Sequence, residues 1–182
     1  MRRPRTEITV GAQLEDILRE ARVLFLSLRD ARAPYVVPVC FGWEKDTLYV
    51  HSALSGTKID LLRADPAVGF SACTDMTLVP GATACDFSLQ AESISGTGRA
   101  RILAEQKERV HGLDLIMRHY AESADAPVFS PGSLSRTCVI AITIETLRGR
   151  RLGRGTRSGS TPCGSARVRA RPEGRTRSGS TP

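Results

Sequence analysis

The stretch Tyr35–Phe70, YVVPVCFGWEKDTLYVHSALSGTKIDLLRADPAVGF, decides the fold. Two runs rich in β-branched and aromatic residues, Tyr35 to Trp43 and Thr47 to Ser52, flank the polar turn Glu44-Lys45-Asp46, the pattern of adjacent antiparallel strands. Along the first run Tyr35, Val37, Val39 and Phe41 alternate with Val36, Pro38 and Cys40, so both faces are apolar and both need cover. One face belongs to a core. The other calls for a ligand or a second subunit, unless this is simply an edge strand. Pro38 has no N–H to give a ladder, so pairing is expected to be interrupted there, freeing neighbouring backbone groups for a ligand.

A small-residue loop, Ser52 to Lys58, follows and leads into a short helix expected over Thr57 to Ala64. Asp65-Pro66 stops that helix, because the residue before proline is driven out of helical geometry. Ser55, Gly56, Thr57 and Lys58 form a candidate anion seat, where free N–H groups and the helix dipole favour negative charge. The seat is not a Walker loop, whose GxxxxGK[ST] spacing is absent. A helix terminus offers an anion only about 0.3–2 kcal/mol, whereas micromolar retention needs about 8 kcal/mol. Burial of roughly 200 Å² of aromatic ring adds about 5 kcal/mol, and a charge-assisted Lys58 contact brings the sum within range. The pattern therefore suggests a phosphorylated aromatic cofactor held between the strands and the loop. His51 closes the third strand beside the loop; it is either a structural histidine or a donor or proton carrier toward cofactor or substrate.

Working outward, Leu14, Ile17, Leu18 and Ala21 mark one face of a helix over 12–22. Strands are expected over Val23–Leu28 and Ala67–Cys73, a loop over 74–84, and a long strand over Ser88–Leu103 bent at Gly96 and Gly98. A helix over Glu105–Tyr120, a short helical turn at Ser130-Pro131 and a last strand over Cys138–Ile144 complete the body. Gly96-Thr97-Gly98 is not a dinucleotide fingerprint, since no helix follows it. Six or so strands joined mostly by short turns imply a small antiparallel barrel with flanking helices. His111 and His119 are read as surface residues, their eight-residue spacing being wrong for a metal pair.

The formal charge of +7 is concentrated at one end. Residues 148–182 carry ten arginines and one acid, a net +9, which leaves residues 1–147 at −2. Basic pI therefore gives no argument for a nucleic-acid-binding fold. The tail repeats Thr-Arg-Ser-Gly-Ser-Thr-Pro at 156–162 and 176–182 and has few large apolar residues. Two parts are expected: a folded body over 1–147 and a disordered basic tail over 148–182, either merely solvated or making weak electrostatic contact with nucleic acid or anionic lipid. The five cysteines form no CxxC pair and are read as buried reduced thiols, with no metal site. No apolar run reaches membrane-spanning length and the basic start lacks an apolar signal region, so a cytoplasmic location is expected and no membrane contact.

The chain resembles the FMN-binding split-barrel proteins of the pyridoxamine 5′-phosphate oxidase-like group, and within it the 5-nitroimidazole antibiotic resistance proteins. The stretches that carry the resemblance are Tyr35-Val36-Val37-Pro38, Leu48-Tyr49-Val50-His51-Ser52-Ala53, Gly56-Thr57-Lys58-Ile59-Asp60-Leu61-Leu62, Asp65-Pro66, Cys85-Asp86-Phe87 and Met117-Arg118-His119-Tyr120. They occur in the expected order over about 5–147. The resemblance implies a six-stranded antiparallel split barrel, mainly β with flanking helices, and a homodimer with FMN at the subunit interface. It implies that Val36, Val37, Pro38 and Val39 line the flavin ring, that His51, Ser52 and Ala53 flank the ring and ribityl chain, and that Thr57 and Lys58 hold the phosphate. His51 falls at the reactive position, and the implied activity is reduction of a nitroimidazole or other small aromatic substrate. The alternative is a non-catalytic flavin or haem carrier or sensor with His51 as axial ligand. Three departures stand out. Thr57 replaces a common arginine, Ala91 replaces a common aromatic, and the arginine-rich substrate motif of true pyridoxamine phosphate oxidases is not evident.

Overall fold

The computed structural model describes residues 7–121 and 129–153. In chain order the elements are β1 (Glu7–Ile8), α1 (Gly11–Glu20), β2 (Leu24–Leu28), β3 (Tyr35–Val39), β4 (Phe41–Glu44), β5 (Thr47–Ser52), α2 (Thr57–Ala64), β6 (Ala67–Cys73), β7 (Thr77–Val79), β8 (Ser88–Ile102), α3 (Gln106–Tyr120), α4 (Pro131–Leu134) and β9 (Cys138–Leu152). Strands pair antiparallel throughout, in the order β3-β2-β6-β8-β9-β5-β4, with β1 on β9 and β7 on β8. This is a mainly β architecture with flanking helices, a split barrel.

The strand count is a correction: nine among the described residues rather than six. The run Tyr35–Trp43 is two strands, because the chain turns a corner at Cys40 and leaves β2 for β5. Two short strands, β1 and β7, carry too little periodic pattern to be seen in the sequence. The two ends of the sheet path, β3 and β4, are consecutive in the chain, so the barrel's edges meet at Cys40 without a continuous ladder between them. The interruption expected at Pro38 falls instead at this corner. Pro38 sits opposite Phe25 within an unbroken β2–β3 register, which an edge strand permits because its outer N–H positions have no partner.

The barrel interior is filled by alternate residues of each strand. Leu24, Leu26, Phe41, Leu48, Val50, Ile140 and Ile142 are all fully buried, as is Ile59 from α2, and each such side chain contributes about 1.5–3 kcal/mol over leaving it in water. A second cluster lies outside the barrel, where Leu103, Val139 and Ala141 meet Leu113 and Ile116 of α3 and Leu134 of α4. Both faces of β9 are thus covered at Cys138–Ile142, which explains why that stretch reads as a continuous apolar run rather than alternating. Helix α3 comes so close to β4 that a Cβ on Gly42 would lie 2.5 Å from the Ile116 nitrogen.

The glycine bend in β8 falls where expected, with a register shift against β9 between Thr97 and Gly98. The last strand does not stop at Ile144: it continues to Leu152, pairing Arg148–Leu152 with Ala91–Ser95. The first five residues assigned to the tail are therefore sheet, and residues 154–182 lie outside the described residues. Among the described residues no helix is long and apolar enough to cross a membrane.

Candidate functional site

The anion seat is built by α2 and the loop before it. Gly56 adopts φ +120, a conformation side-chain-bearing residues avoid, and its carbonyl accepts from the N–H groups of Ile59 and Asp60 at 2.8 and 3.1 Å. No side chain caps the helix, so the N–H groups of Thr57 and Lys58 precede its first internal bonds. A Cβ added to Gly56 would meet nothing within 4 Å. Open space, backbone donors, the Thr57 hydroxyl and the half-buried Lys58 therefore meet at one helix end, a donor set that fits a phosphate.

Lys58 is held below the ordinary lysine pKa by burial, opposed by the Cys138 thiol beside it. Cys138 is itself buried, which pushes its thiol up. His51 sits at the surface on β5, opposite Val139 of β9. Desolvation and then the Lys58 charge lower its pKa, both disfavouring the charged imidazole. Ser52 is half-buried opposite Cys138, and Ala53 is exposed at the start of the loop.

The strand residues expected at the ring divide between two faces. Val37 and Val39 pack against the barrel core, while Val36 and Pro38 face outward. Val36 is 55% exposed, and Phe25, Pro38's cross-strand neighbour, is 45% exposed. Phe25 was missed by sequence reasoning, yet its signal was present. In VLFLSL the leucines at 24, 26 and 28 take the core, which leaves a large aromatic on the solvent side. Cys40 is also exposed at the corner, contrary to the expectation of buried thiols, because its neighbours Val39 and Phe41 take the inward positions. Ala91 is buried opposite Leu152.

His119 is a second correction. It is half-buried, with Nε2 2.7 Å from the Ala21 carbonyl and its ring 4.5 Å from that of Phe41. The adjacent Tyr120 donates to the Arg22 carbonyl at 2.9 Å and accepts from the Phe41 N–H at 3.0 Å. His111 does lie at the surface, 3.2 Å from Glu44.

A cleft of about 400 Å³ opens elsewhere, bordered by Arg29, Asp65, Gly69, Thr97 and Glu145, and none of the expected site residues lines it. In one copy of the chain the apolar face of Val36, Pro38 and Phe25 and the α2 seat are both open to solvent rather than enclosed.

Residues 11–151 match the pyridoxamine 5′-phosphate oxidase family. The chain belongs to that family. Among solved structures it is similar to a candidate 5-nitroimidazole antibiotic resistance protein from Bacteroides thetaiotaomicron, at 31% identity over 80% of this chain and 86% of that one, with a TM-score of 0.72. The flavocytochrome Anf3 from Azotobacter vinelandii shares the fold at 17% identity, 82% and 70% coverage and a TM-score of 0.69. So does an FAD- and haem-binding protein from Mycobacterium smegmatis, at 16% identity, 91% coverage of each chain and a TM-score of 0.69. No curated protein matches the chain.

Proposed function

We propose that this member of the pyridoxamine 5′-phosphate oxidase family is a homodimeric FMN-dependent oxidoreductase that reduces nitroimidazole-like or other small aromatic substrates. The observation that carries the reading is the outward apolar face of Val36, Pro38 and Phe25 in the same fold as the uncapped α2 end with Lys58. Such a face in water is costly and marks an interaction site. Its open shape in a single copy suits a ring covered from the other side by a second copy. Similarity to the Bacteroides thetaiotaomicron protein supports the substrate class.

FMN, when bound, supplies the hydride and electron chemistry. Lys58, Thr57 and the α2 backbone would hold its phosphate. Val36 and Pro38 would shield the ring from water, with Val37 and Val39 fixing the strand through the core. Ser52 and Ala53 would border the ribityl chain. His51, whose charged form is disfavoured by burial and by Lys58, can accept or donate one proton at the reacting side. A second reading, a flavin or haem carrier or sensor with His51 as ligand, draws support from the fold shared with the flavocytochrome and the FAD- and haem-binding protein.

Absorbance of the purified protein tests the cofactor. Flavin bands, or saturable binding of added FMN, are expected, and neither being seen rejects the reading. Lys58→Ala should raise the FMN Kd about 10–100-fold, as loss of a charged hydrogen bond of about 1.5–3 kcal/mol implies. Turnover of a nitroimidazole with a nicotinamide donor separates enzyme from carrier, since a carrier gives none.

A further inference from the structure

The β2–β3 register runs Leu28↔Tyr35 to Leu24↔Val39. Two more steps along it would place Arg22 opposite Phe41. The strands do not continue: the chain leaves at Cys40 and Phe41 becomes the first residue of β4, opposite Val50 of β5. In the gap stands the hydroxyl of Tyr120, which accepts from the Phe41 N–H at 3.0 Å and donates to the Arg22 carbonyl at 2.9 Å. One side-chain oxygen thus replaces the direct backbone bond that would have continued the β2–β3 ladder to Phe41. The next residue back, His119, holds the Ala21 carbonyl at 2.7 Å and lays its ring 4.5 Å from Phe41. Adjacent residues at the end of α3 therefore grip adjacent carbonyls ahead of β2, and the wholly buried Phe41 lies between them.

We propose that Tyr120 is the clasp of the barrel seam, and through it a positioning residue for the Pro38–Cys40 corner. Without the hydroxyl, the Phe41 N–H and Arg22 C=O are left too far apart to satisfy each other in this conformation, so the corner must move or carry unpaired groups. The effect on the flavin face rests on the FMN reading above; the clasp itself does not. Sequence pattern alone could not show it, because the two partners lie 79 and 98 residues from Tyr120.

Amide hydrogen exchange followed by NMR on the full chain tests the clasp without any cofactor. The Phe41 amide should be protected in the wild type, and it should exchange at least about tenfold faster in Tyr120→Phe. An unprotected Phe41 amide in the wild type, or exchange within about twofold in the variant, overturns the clasp. FMN titration with visible circular dichroism then tests positioning. Tyr120→Phe should raise the FMN Kd about tenfold, equivalent to about 1.4 kcal/mol, and alter the flavin dichroism. Ile142→Val, a barrel-core change on β9 opposite Leu48 rather than at the Cys40 corner, should lower stability yet leave both unchanged. Equal FMN affinity in Tyr120→Phe, or equal loss in Ile142→Val, overturns positioning. A wild type that binds no FMN rejects the functional reading and leaves the exchange result to decide the clasp.

Discussion

Gly96 of β8 lies directly opposite Phe70 of β6, and the aromatic ring covers it so closely that a Cβ there would stand 2.5 Å from Phe70 Cζ. The same Cβ would come 2.2 Å from the Thr146 carbonyl oxygen on the other side. Neither neighbour can yield, one being backbone and the other a core ring only 3% exposed. Gly96→Ala should therefore cost about 1–3 kcal/mol through overpacking, read as a lower urea midpoint at unchanged slope. Gly11 provides the contrast. It opens α1 with nothing within 4 Å of its added Cβ, so Gly11→Ala should be neutral or stabilising by about 0.4–1 kcal/mol. Equal effects at the two positions would remove the close-packing explanation.

His51 should titrate below the ordinary histidine value, because desolvation first and Lys58 second both oppose its charged form. An NMR titration of the His51 ring in Lys58→Ala should show the midpoint rising but stopping short of 6.5, the burial contribution being the larger and untouched. If the midpoint does not move, Lys58 does not act on His51 and the two are not parts of one site.

The elements that sequence reading located well are those whose pattern is local. Thr47–Ser52, Thr57–Ala64 and Ala67–Cys73 match the observed bounds residue for residue, since alternation and the Asp65-Pro66 stop are written in adjacent positions. The bend at Gly96–Gly98 was legible for the same reason. The corner at Cys40 was not. The run Tyr35–Trp43 keeps its alternation straight through it, and the hydroxyl that bridges the corner comes from residue 120. Nor could composition assign Arg148–Leu152 to the sheet, because three arginines around Gly149 read as tail until β8 is placed beside them. At the site, the loop and Lys58 were visible in the sequence, but the split of Val36–Val39 into outward and inward pairs needed the fold.

Protonation of His119 should destabilise the protein. Its pKa is lowered chiefly by burial, with Arg22 adding to the effect and the Ala21 carbonyl bond opposing it. The unfolded chain binds that proton more readily, so stability should be fully present above pH 6.5 and fall as pH drops from there through the folded-state pKa. His51 contributes in the same direction. His119→Gln, which can still donate to the Ala21 carbonyl, should flatten the slope of stability against pH between about 5 and 6.5. An unchanged slope would mean that His119 titrates normally and is not buried against Phe41.

The folded body runs through Leu152 rather than stopping at residue 147. Among the described residues Leu152 is the last to pair, with Ala91, and both Nε and Nη2 of Arg151 reach Glu92 Oε1 at 2.8 Å, where Glu92 is only 9% exposed. Both residues of β1 also pair within this segment, Glu7 with Arg150 and Ile8 with Gly149. A chain ending at Gly153 keeps every one of these contacts and should melt within about 2 °C of the full-length protein. A chain ending at Leu147 loses five β8–β9 pairs, both β1 pairs and the Arg151 partner of Glu92. Stripping a cation from a buried carboxylate is costly in itself, and the loss of the edge adds to it, so this shorter chain should melt at least about 10 °C lower or without a cooperative transition. Equal melting of the two truncations would show that Arg148–Leu152 adds nothing to the barrel, and would return the boundary to 147.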